Sequence, residues 1–344
     1  YRMHNLGLNV IDNIVKSEKG EKLHSEEYGN YIENEFKSDI MEANFGIRIE
    51  RYTGKNQSFN NILPRVYFVF LPKKSLSYSI SYDKTSQYLQ LVSNTNIGFP
   101  NDLWIPIYEN FKPLSAEQYS AGIKYSFGKY VFTAEAFYKK MKEVVDYRDG
   151  VILREQYNDW NELLTAGTGR SYGLEIMIEK NYGRLSGWLT YTYSRSFRRF
   201  SEINQGHEFP FVYDRPHSGN INLSYNISAS QTFNATWFYS SGSLFTIPTD
   251  VYQFKDNIVV NITTRNNYRS PFYHHLDIGY RSSKEYKKGI FTIIFGVYNV
   301  YGMINPFRVR YVYKDYDKNL TNPYLELSGI FFIWPYFGFE YKFK

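Results

Sequence analysis

Apolar and polar side chains alternate along most of this sequence, and the pattern is clearest between Gly169 and Ser196. Two segments there, each of about ten residues, place apolar side chains at every second position with polar ones between them. Only Asn181 to Arg184 separate the two segments. A period of two predicts β-strands with unlike faces, and the short polar link with its glycine predicts an antiparallel hairpin. The apolar face is formed by Tyr172, Leu174, Ile176 and Ile178 in the first strand and by Leu185, Leu189, Tyr191 and Tyr193 in the second.

Segments with the same alternation recur along the chain and predict an all-β protein. With the two strands of the hairpin, about fourteen strands are predicted in all, and the region from Asn305 to Tyr313 is expected to extend the strand before it. The other predicted strands are Met3 to Ile11, Glu27 to Phe36, Met41 to Tyr52, Leu63 to Leu71, Leu76 to Tyr82, Glu117 to Phe127, Tyr130 to Val145, Ser218 to Ile227, Thr232 to Ser240, Tyr273 to Ser282, Ile290 to Val300 and Gly329 to Phe343.

The connections between the predicted strands alternate between short and long. The short ones lie near Lys37 to Asp39, Pro72 to Ser75, Gly128 to Lys129, Asn181 to Arg184, Ser228 to Gln231 and Ser283 to Lys288. The long ones span Asp12 to Glu26, Thr53 to Ile62, Asp83 to Ala116, Asp146 to Gly169, Phe197 to His217, Ser241 to Phe272 and Tyr301 to Ser328. This arrangement is typical of an up-and-down bacterial membrane barrel, which has short periplasmic turns and long extracellular loops. A soluble sandwich or propeller has no reason to sort its loops by length in this way.

The composition is consistent with a membrane barrel. Aromatic residues make up 19% of the chain, including 35 Tyr, and tyrosine suits an interface between an apolar and a wet medium. The mean hydropathy of −0.48 and the lack of a long apolar run exclude a transmembrane helix, whereas alternating strands can cross a membrane with such a composition. On composition alone, a tyrosine-rich soluble adhesin or lectin is an open alternative.

Charge and cysteine usage exclude several classes of site. The chain has no cysteine, so it has no disulfide, thiol nucleophile or cysteine-based metal site. Its net charge of +6 is spread along the sequence, and no compact basic and aromatic module predicts nucleic-acid binding. Mid-strand charges such as Glu135 and Lys139 fall on one face only. Because a charge at the midplane of the lipid face would cost roughly 2 to 4 kcal/mol, we expect that face to be wet and the apolar face to meet lipid. No linker divides the sequence, which predicts a single domain over residues 1–344.

The end of the sequence carries a further signal. It reads YFGFEYKFK and puts Phe337, Phe339, Tyr341 and Phe343 on one face. This ending resembles the C-terminal strand by which outer-membrane barrels are recognised for assembly. Lys344 departs from that pattern, because such chains usually stop on the aromatic residue itself.

Several longer stretches, in their order and spacing, resemble the barrel of TonB-dependent outer-membrane receptors. They are FPNDLWIPIYENFKP at Phe99 to Pro113, AFYKKMKEVVDYRDG at Ala136 to Gly150, GTGRSYGLEIMIEK at Gly167 to Lys180, FPFVYDRPHSGNINLSYN at Phe209 to Asn226, YHHLDIGYR at Tyr273 to Arg281, VYNVYGMINPF at Val297 to Phe307 and the terminal strand. The resemblance implies a transmembrane antiparallel up-and-down β-barrel of about twenty-two strands with an N-terminal plug in its lumen. The strands predicted here would be the last ones, with the plug, the partner-binding TonB box and the first strands outside this sequence.

The same resemblance implies active import across the bacterial outer membrane, in contact with outer-membrane lipid. A small extracellular ligand would bind above the plug, and a TonB-type energy-coupling protein would drive the plug aside through the N-terminal region. The modest loops favour a ferric siderophore or another iron chelate. The alternatives are a glycan importer of the same family, with a surface lipoprotein lid as a partner, a passive porin-like channel of about fourteen strands, and a soluble β-rich adhesin or lectin.

No constellation of residues predicts catalysis or a resident cofactor, so we expect no enzymatic activity. Glu175 and Glu179 share a strand face, but lumen carboxylates explain them better than an acid–base pair. His274 and His275 are adjacent, so they point to opposite faces and a shared metal is not expected.

Ligand binding fits the long loops better than catalysis does. Their aromatic and guanidinium groups suit a flat, anionic or sugar-like ligand, although the same residue types also occur in aromatic belts and in contacts with anionic lipid. His207 and His217 lie in or beside one loop and are weak candidates for ligating haem iron or another metal. The candidate ligand-binding residues are Tyr88, Trp104, Trp160, Arg198, Arg199, Arg215, Tyr252 and Arg265.

Overall fold

The computed structural model describes residues 2–7, 22–54, 57–94, 101–107, 111–149, 163–254, 257–306, 308–312, 324–329 and 332–344. The strands are β1 (Arg2–Gly7), β2 (Lys22–Lys37), β3 (Met41–Thr53), β4 (Ser58–Lys73), β5 (Leu76–Gln87), β6 (Leu89–Asn94), β7 (Asn101–Pro106), β8 (Leu114–Phe127), β9 (Tyr130–Tyr147), β10 (Leu164–Lys180), β11 (Leu185–Arg199), β12 (Phe209–Pro210), β13 (His217–Ser228), β14 (Gln231–Ser240), β15 (Leu244–Phe245), β16 (Asp250–Phe254), β17 (Asn257–Asn261), β18 (Tyr268–Arg269), β19 (Tyr273–Tyr286), β20 (Gly289–Tyr298), β21 (Arg308–Val312), β22 (Tyr324–Ser328) and β23 (Trp334–Phe343). One 3-10 turn, Asn204–Gly206, lies between β11 and β12.

One antiparallel sheet dominates the structure. Its strands follow one another in the order β1-β2-β3-β4-β5-β8-β9-β10-β11-β13-β14-β19-β20-β23, and β12 adds to β11. Within the described residues β1 and β23 do not pair with each other, so the sheet is open. The predicted all-β, up-and-down architecture is confirmed, and a closed fourteen-stranded channel, which requires that pairing, is not observed.

The hairpin predicted between Gly169 and Ser196 is confirmed as β10 and β11. Leu174 lies opposite Tyr193 and Ile178 opposite Leu189, which puts the apolar positions of both strands on one face. Glu175 and Thr192 pair on the other face. The alternation in the sequence therefore sets the register of this pair, because a slip by one residue would exchange the two faces.

Cross-strand pairing continues this apolar face from β3 to β23. Every second residue of each strand contributes to it, and the polar face lies opposite. Three rows of directly paired residues are Ala43, Phe68, Ile80, Ala121, Ala136 and Leu174; Ile178, Leu189, Ile221, Trp237 and Leu276; and Tyr225, Phe233, Tyr280, Phe295 and Phe337. Many of these side chains are exposed, including Phe295 at 50% and Phe337 at 68%, so the apolar face has no covering layer of protein among the described residues.

The connections are sorted by length as predicted, except for the one between β3 and β4. The short ones are residues 38–40, 74–75, 128–129, 181–184, 229–230 and 287–288, and antiparallel order brings all of them to one rim of the sheet. We call this the short-link rim and the opposite one the long-loop rim. Four small two-stranded units lie in the connections of the long-loop rim: β6 with β7, β15 with β18, β16 with β17, and β21 with β22.

Three predictions about the connections and strand ends are wrong. The span from Thr53 to Ile62 is not a long loop, because β3 reaches Thr53 and β4 begins at Ser58. Backbone pairing continues there through polar residues, Glu50 with Asn61 for example, which hydropathy alternation does not mark. The region from Asn305 to Tyr313 does not extend β20 either; it contains β21, which pairs with β22, and the last strand begins at Trp334 rather than at Gly329.

A β-bulge interrupts β9 near the long-loop rim. Lys142 pairs with Thr168 and Val144 pairs with Gly167, so Glu143 is an extra residue, and its φ of 59° lies in the left-handed region. Beyond the bulge the alternation of faces restarts one residue late. As a result, Met141 and Val144 lie in the same buried cluster although their numbers differ in parity.

Two buried apolar clusters lie at the long-loop rim. One contains Tyr52, Tyr88, Val92, Ile107, Phe111, Tyr147, Leu163 and Leu164. The other contains Ala116, Met141, Val144, Phe200, Ile203 and Phe209. Both combine strand ends with loop residues, so the long connections pack onto the sheet end and onto one another.

Within the part of the chain that the structure describes, no helix has the length and apolarity needed to cross a membrane.

Candidate functional site

The long-loop rim holds the predicted ligand-binding residues that the structure describes. They lie at the end of β11 and in the connections after β5, β11 and β14, which antiparallel order places at the same end of neighbouring strands. Trp160 lies outside the described residues, so its predicted role has no structural description. The backbone of Tyr252 pairs with Val259 in the β16–β17 hairpin.

Arg265 forms a polar centre that joins three of these connections. Its side chain is only 6% exposed, and Nη1 donates a hydrogen bond to the Tyr147 carbonyl at 2.8 Å. Nη2 donates to Asp146 Oδ1 at 2.9 Å, and the Arg265 backbone N–H donates to Asn204 Oδ1 at 3.2 Å. The Asn204 N–H in turn donates to Asp149 Oδ2 at 2.7 Å. A buried guanidinium needs a carboxylate and further acceptors, so this set of contacts holds the loops in one arrangement.

Asp214 forms a second centre next to the first. Its side chain is fully buried and accepts hydrogen bonds from the Ser196 N–H at 2.7 Å, Arg269 Nη2 at 2.7 Å and Arg195 Nε at 3.3 Å. Arg269 also donates to the Gly242 carbonyl at 2.9 Å. The carboxylate therefore ties β11 to the connections on both sides of β13 and β14, by charge-assisted hydrogen bonds that are stronger than neutral ones.

Tyr88 is a packing residue in the first buried cluster. Its ring is 4% exposed and stacks on Tyr52 with centroids 4.7 Å apart. The hydroxyl donates to Glu50 Oε2 at 3.0 Å and accepts from Asn61 Nδ2 at 2.8 Å. Burial raises the pKa of Tyr88 to about 12, so the phenol is neutral at physiological pH.

Arg198 lies on the polar face, half-buried, at the end of β11. Its guanidinium stacks on Phe211, 4.1 Å from the ring centroid, and donates to the Phe197 carbonyl at 3.1 Å. Phe211, Asp146 and Arg265 also line a small cleft between the loops. Arg198 and Phe211 place a cationic and an aromatic group together beside this cleft, which suits recognition of a polar ligand with flat or charged parts.

Three other candidates lie at the surface. Trp104, on β7, is 48% exposed. Arg199 is exposed and donates through Nε to the Gly206 carbonyl at 3.0 Å, and Arg215 is exposed and donates to Ser243 Oγ at 3.0 Å. Among the described residues, each guanidinium group uses one of its five N–H donors in these contacts.

The histidines do not assemble into a metal site among the described residues, where no group of three or more His, Asp or Glu side chains could hold an ion. His207 is exposed, and His217 Nδ1 lies 2.8 Å from the Tyr191 hydroxyl. His274 and His275 have separate partners, as their opposite faces predict: the Tyr301 hydroxyl for the first and Asp277 for the second.

The polar face below the loops carries a pair of carboxylates. Glu175 lies directly opposite Glu135 in the register of β10 and β9. No ion pair within 4.0 Å involves either residue in the part of the chain that the structure describes. Two carboxylates side by side attract a cationic group.

Sequence reasoning missed most of the residues that hold the loops in place. Asp146 and Asp149 lie in the stretch VVDYRDG, which carried part of the family resemblance, but nothing in the sequence singled out their carboxylates. Asp214, Arg269 and Asn204 were missed as well. One local signal was available at Asn204, where Asn-Gln-Gly is a typical left-handed turn sequence and all three residues have positive φ.

Comparisons with known proteins agree with this architecture. The family model described as "TonB dependent receptor-like, beta-barrel" matches residues 1–300. The FrpB iron transporter from Neisseria meningitidis (F5-1 variant) has a similar structure, with a TM-score of 0.60 and 15% identity, over 93% of this chain and 46% of that one. The ferric citrate transporter FecA in its unliganded form has a TM-score of 0.59 and 14% identity, over 91% of this chain and 45% of that one. The ferripyoverdine receptor of Pseudomonas aeruginosa has a TM-score of 0.59 and 15% identity, over 83% of this chain and 36% of that one.

This chain therefore spans less than half the length of those solved structures. A comparison with curated protein sequences found no match. At identities of 14–15% the solved structures show the fold of this chain, and their ligands are properties of those proteins.

Proposed function

Since the chain belongs to the TonB-dependent receptor β-barrel family, we propose that it forms part of an outer-membrane receptor that imports an iron chelate, most simply a ferric siderophore. The family match over residues 1–300 is the observation that carries the proposal. The names of the structural neighbours support the cargo, since they include an iron transporter, a ferric citrate transporter and a ferripyoverdine receptor. These neighbours are transporters and receptors, and nothing in the described site adds catalytic chemistry.

The proposed location is the bacterial outer membrane. The continuous apolar face would meet lipid, because its side chains are exposed in the described structure and would otherwise face water. The short-link rim would face the periplasm and the long-loop rim the exterior, as in other outer-membrane barrels. The polar face would line the lumen.

The proposed binding surface is the long-loop rim around Arg198, Arg199, Arg215 and Trp104. Ferric chelates commonly carry negative charge, and guanidinium groups bind carboxylates and other oxyanions through two parallel hydrogen bonds. The centres at Arg265 and Asp214 would hold the loops in position without contacting the ligand themselves, because protein groups already occupy them. Tyr252 and Trp160 remain predicted contacts, whereas Tyr88, buried in the first cluster, would support the loops from beneath.

Energy coupling belongs to the proposal as well. A TonB-type protein would act through the N-terminal region of the whole receptor, and the lumen would open once the plug is displaced. The carboxylates Glu135 and Glu175 would then lie along the wall of the path. A surface lipoprotein lid would be needed only if the cargo were a glycan.

Growth tests on a strain that lacks the whole gene separate the candidate cargoes. The strain is supplied, under iron limitation, with single ferric chelates and, separately, with single glycans as carbon source. We expect growth to fail with one ferric chelate and to recover with the restored gene. Failure on a glycan alone would replace the proposal by glycan import, and normal growth in every condition would refute import of either class.

Variants of the intact receptor test the binding surface. Uptake of the identified chelate labelled with radioactive iron is compared between Arg199→Gln/Arg215→Gln and the control Arg184→Gln/Lys288→Gln, which removes two exposed cations from the short-link rim. We expect a fall of about tenfold or more in affinity for the first variant only, since each charged hydrogen bond is worth about 1.5 to 3 kcal/mol. Equal affinities would move the binding surface elsewhere.

A further inference from the structure

We propose that Lys140, Lys142 and Arg170 form a binding site for the phosphate groups of lipopolysaccharide, the phosphorylated glycolipid of the outer leaflet. The inference rests on the outer-membrane location and orientation proposed above. It concerns the apolar face of β9 and β10 next to the long-loop rim, where Lys142 shares a paired row with Thr168 and Arg199.

The three cations lie on the apolar face and not on the polar one. In β9 this face runs through Ala136 and Tyr138 to Lys140 and Lys142, at every second residue. Lys140 and Lys142 are exposed, whereas Met141 between them is 7% exposed and lies in a buried cluster on the other side.

An aromatic row marks the depth of this site. Tyr138 lies between Tyr119 on β8 and Tyr172 on β10, directly paired with both, and the three rings belong to the apolar face. A second group of rings, at Phe127 and Tyr130, lies at the short-link rim. Eight residues of strand separate Tyr130 from Tyr138, or about 20 to 26 Å depending on tilt, which fits an apolar band of about 25 Å between two aromatic girdles. Residues one step beyond Tyr138 then lie at the level of the lipid phosphates.

The cationic residues Lys140, Lys142 and Arg170 occupy this level of the sheet. Lys140 is directly paired with Arg170, so their Cβ atoms lie about 5 Å apart, and Lys142 follows about 7 Å along the strand. The Lys140 ammonium lies 5.8 Å from the centroid of the Tyr138 ring. A cluster of Lys and Arg side chains at the level of the headgroups attracts anionic lipid.

The acids nearby leave the lysines available. Arg170 donates two hydrogen bonds to Glu208, at 2.9 and 2.6 Å, so its charge is largely balanced and its position fixed. Glu117 is paired with Lys140 and with Lys84 in register. Among the described residues, no carboxylate lies within 4.0 Å of Lys140 or Lys142. Neither lysine is in an ion pair among the described residues, Lys142 lies between Ser115 and Thr168, and Arg170 provides a positioned guanidinium beside Lys140.

The test uses the whole receptor, purified from outer membranes in detergent, and native mass spectrometry with added diphosphoryl lipid A. Lys140→Gln/Lys142→Gln is compared with Lys287→Gln/Lys288→Gln, which removes two exposed lysines from the short-link rim. We expect affinity for lipid A to fall about tenfold or more in the first variant and to be unchanged in the second. Lys140→Arg/Lys142→Arg, which keeps the charges, should bind normally, and lipid A without phosphates should bind all variants equally weakly.

Equal binding by the two glutamine variants, or equal binding of phosphorylated and phosphate-free lipid A, would overturn the site. Chelate uptake by the Lys140→Gln/Lys142→Gln strain should equal that of the wild type, because the loops are intact. Absence of the receptor from the outer-membrane fraction would instead overturn the proposed function. A receptor that is in the outer membrane and binds lipid A equally in both glutamine variants would refute the lipid site alone.

Discussion

Glu175 lies directly across from Glu135 on the polar face of the sheet, so two carboxylates of neighbouring strands share one position along the wall. Like charges at directly opposite positions repel, and such pairs change the free energy of unfolding by about 0.2 to 1 kcal/mol. We therefore expect Glu175→Gln to stabilise the protein by an amount in this range, measured by thermal unfolding in detergent.

Glu179→Gln is the matched control for that change. Glu179 occupies the same face of β10, but its partners are Trp188 and Val131, so no carboxylate lies opposite. Its substitution should leave the unfolding temperature close to that of the wild type. If Glu175→Gln were destabilising while the control is neutral, a cation outside the described residues would have to bridge the two carboxylates.

Arg265→Met should loosen the long-loop rim. The change leaves the buried Asp146 without its cation, and loss of one partner of a buried ion pair costs about 3 kcal/mol or more. Because the loss is local, it is best measured by hydrogen exchange of the Asn204 amide, which is bonded to Asp149 in the same centre. Arg215→Met, at an exposed site, should leave that exchange rate nearly unchanged, and equal rates in the two variants would contradict the role given to Arg265.

Asp214→Asn tests the second centre. The neutral amide removes the negative charge from between Arg269 and Arg195, and we expect a loss of about 3 kcal/mol, seen as faster proteolysis of the connection between β11 and β13. Glu208→Gln breaks the exposed pair with Arg170 and should cost at most about 1 kcal/mol. Similar proteolysis of both variants would show that the buried ion pairs of Asp214 stabilise the loops no more than the exposed pair of Arg170 with Glu208 does.

Tyr88→Phe should change how stability depends on alkaline pH. Burial raises the pKa of Tyr88 from its ordinary value of 10.0 to about 12, so the unfolded chain loses this proton before the folded one does. The stability that the neutral phenol contributes is complete below about pH 10 and is lost as pH rises towards 12. The variant should therefore lose less stability between pH 10 and 12 than the wild type, although it starts about 1 kcal/mol lower without the hydroxyl hydrogen bonds.

The effect of Tyr88→Phe is measured as the unfolding temperature over a series of pH values, with Tyr182→Phe as the control. Tyr182 lies in a short link and is 67% exposed. Its substitution should leave the pH dependence as in the wild type. Parallel curves for all three proteins would refute a raised pKa at Tyr88.

The wall of the protein could be predicted from the sequence and the loops could not, for a physical reason. In β10 and β11 most residues from Tyr172 to Tyr193 indicate by their own polarity which face they occupy, with Met177 and Trp188 on the polar face as exceptions. The local sequence does not predict the burial of Arg265. Its partner Asp146 lies far away in the sequence, and nothing near Arg265 distinguishes this residue from the exposed Arg215. The burial of Tyr88 and the β6–β7 hairpin likewise depend on packing among connections that follow no period.

The extra residue in β9 changes which face of the sheet the even-numbered side chains of this strand occupy. Below Glu143 the even-numbered side chains point outward; above it they point inward, so the strand carries a change of phase at one position. Lys142 and Asp146 both have even numbers, yet Lys142 is exposed on the apolar face and Asp146 accepts a hydrogen bond from Arg265 among the loops. A single inserted residue thus lets one continuous strand contribute to the apolar face below the bulge and to the loop cluster above it, whereas a strictly regular strand of the same composition would have turned the Asp146 carboxylate toward the apolar face.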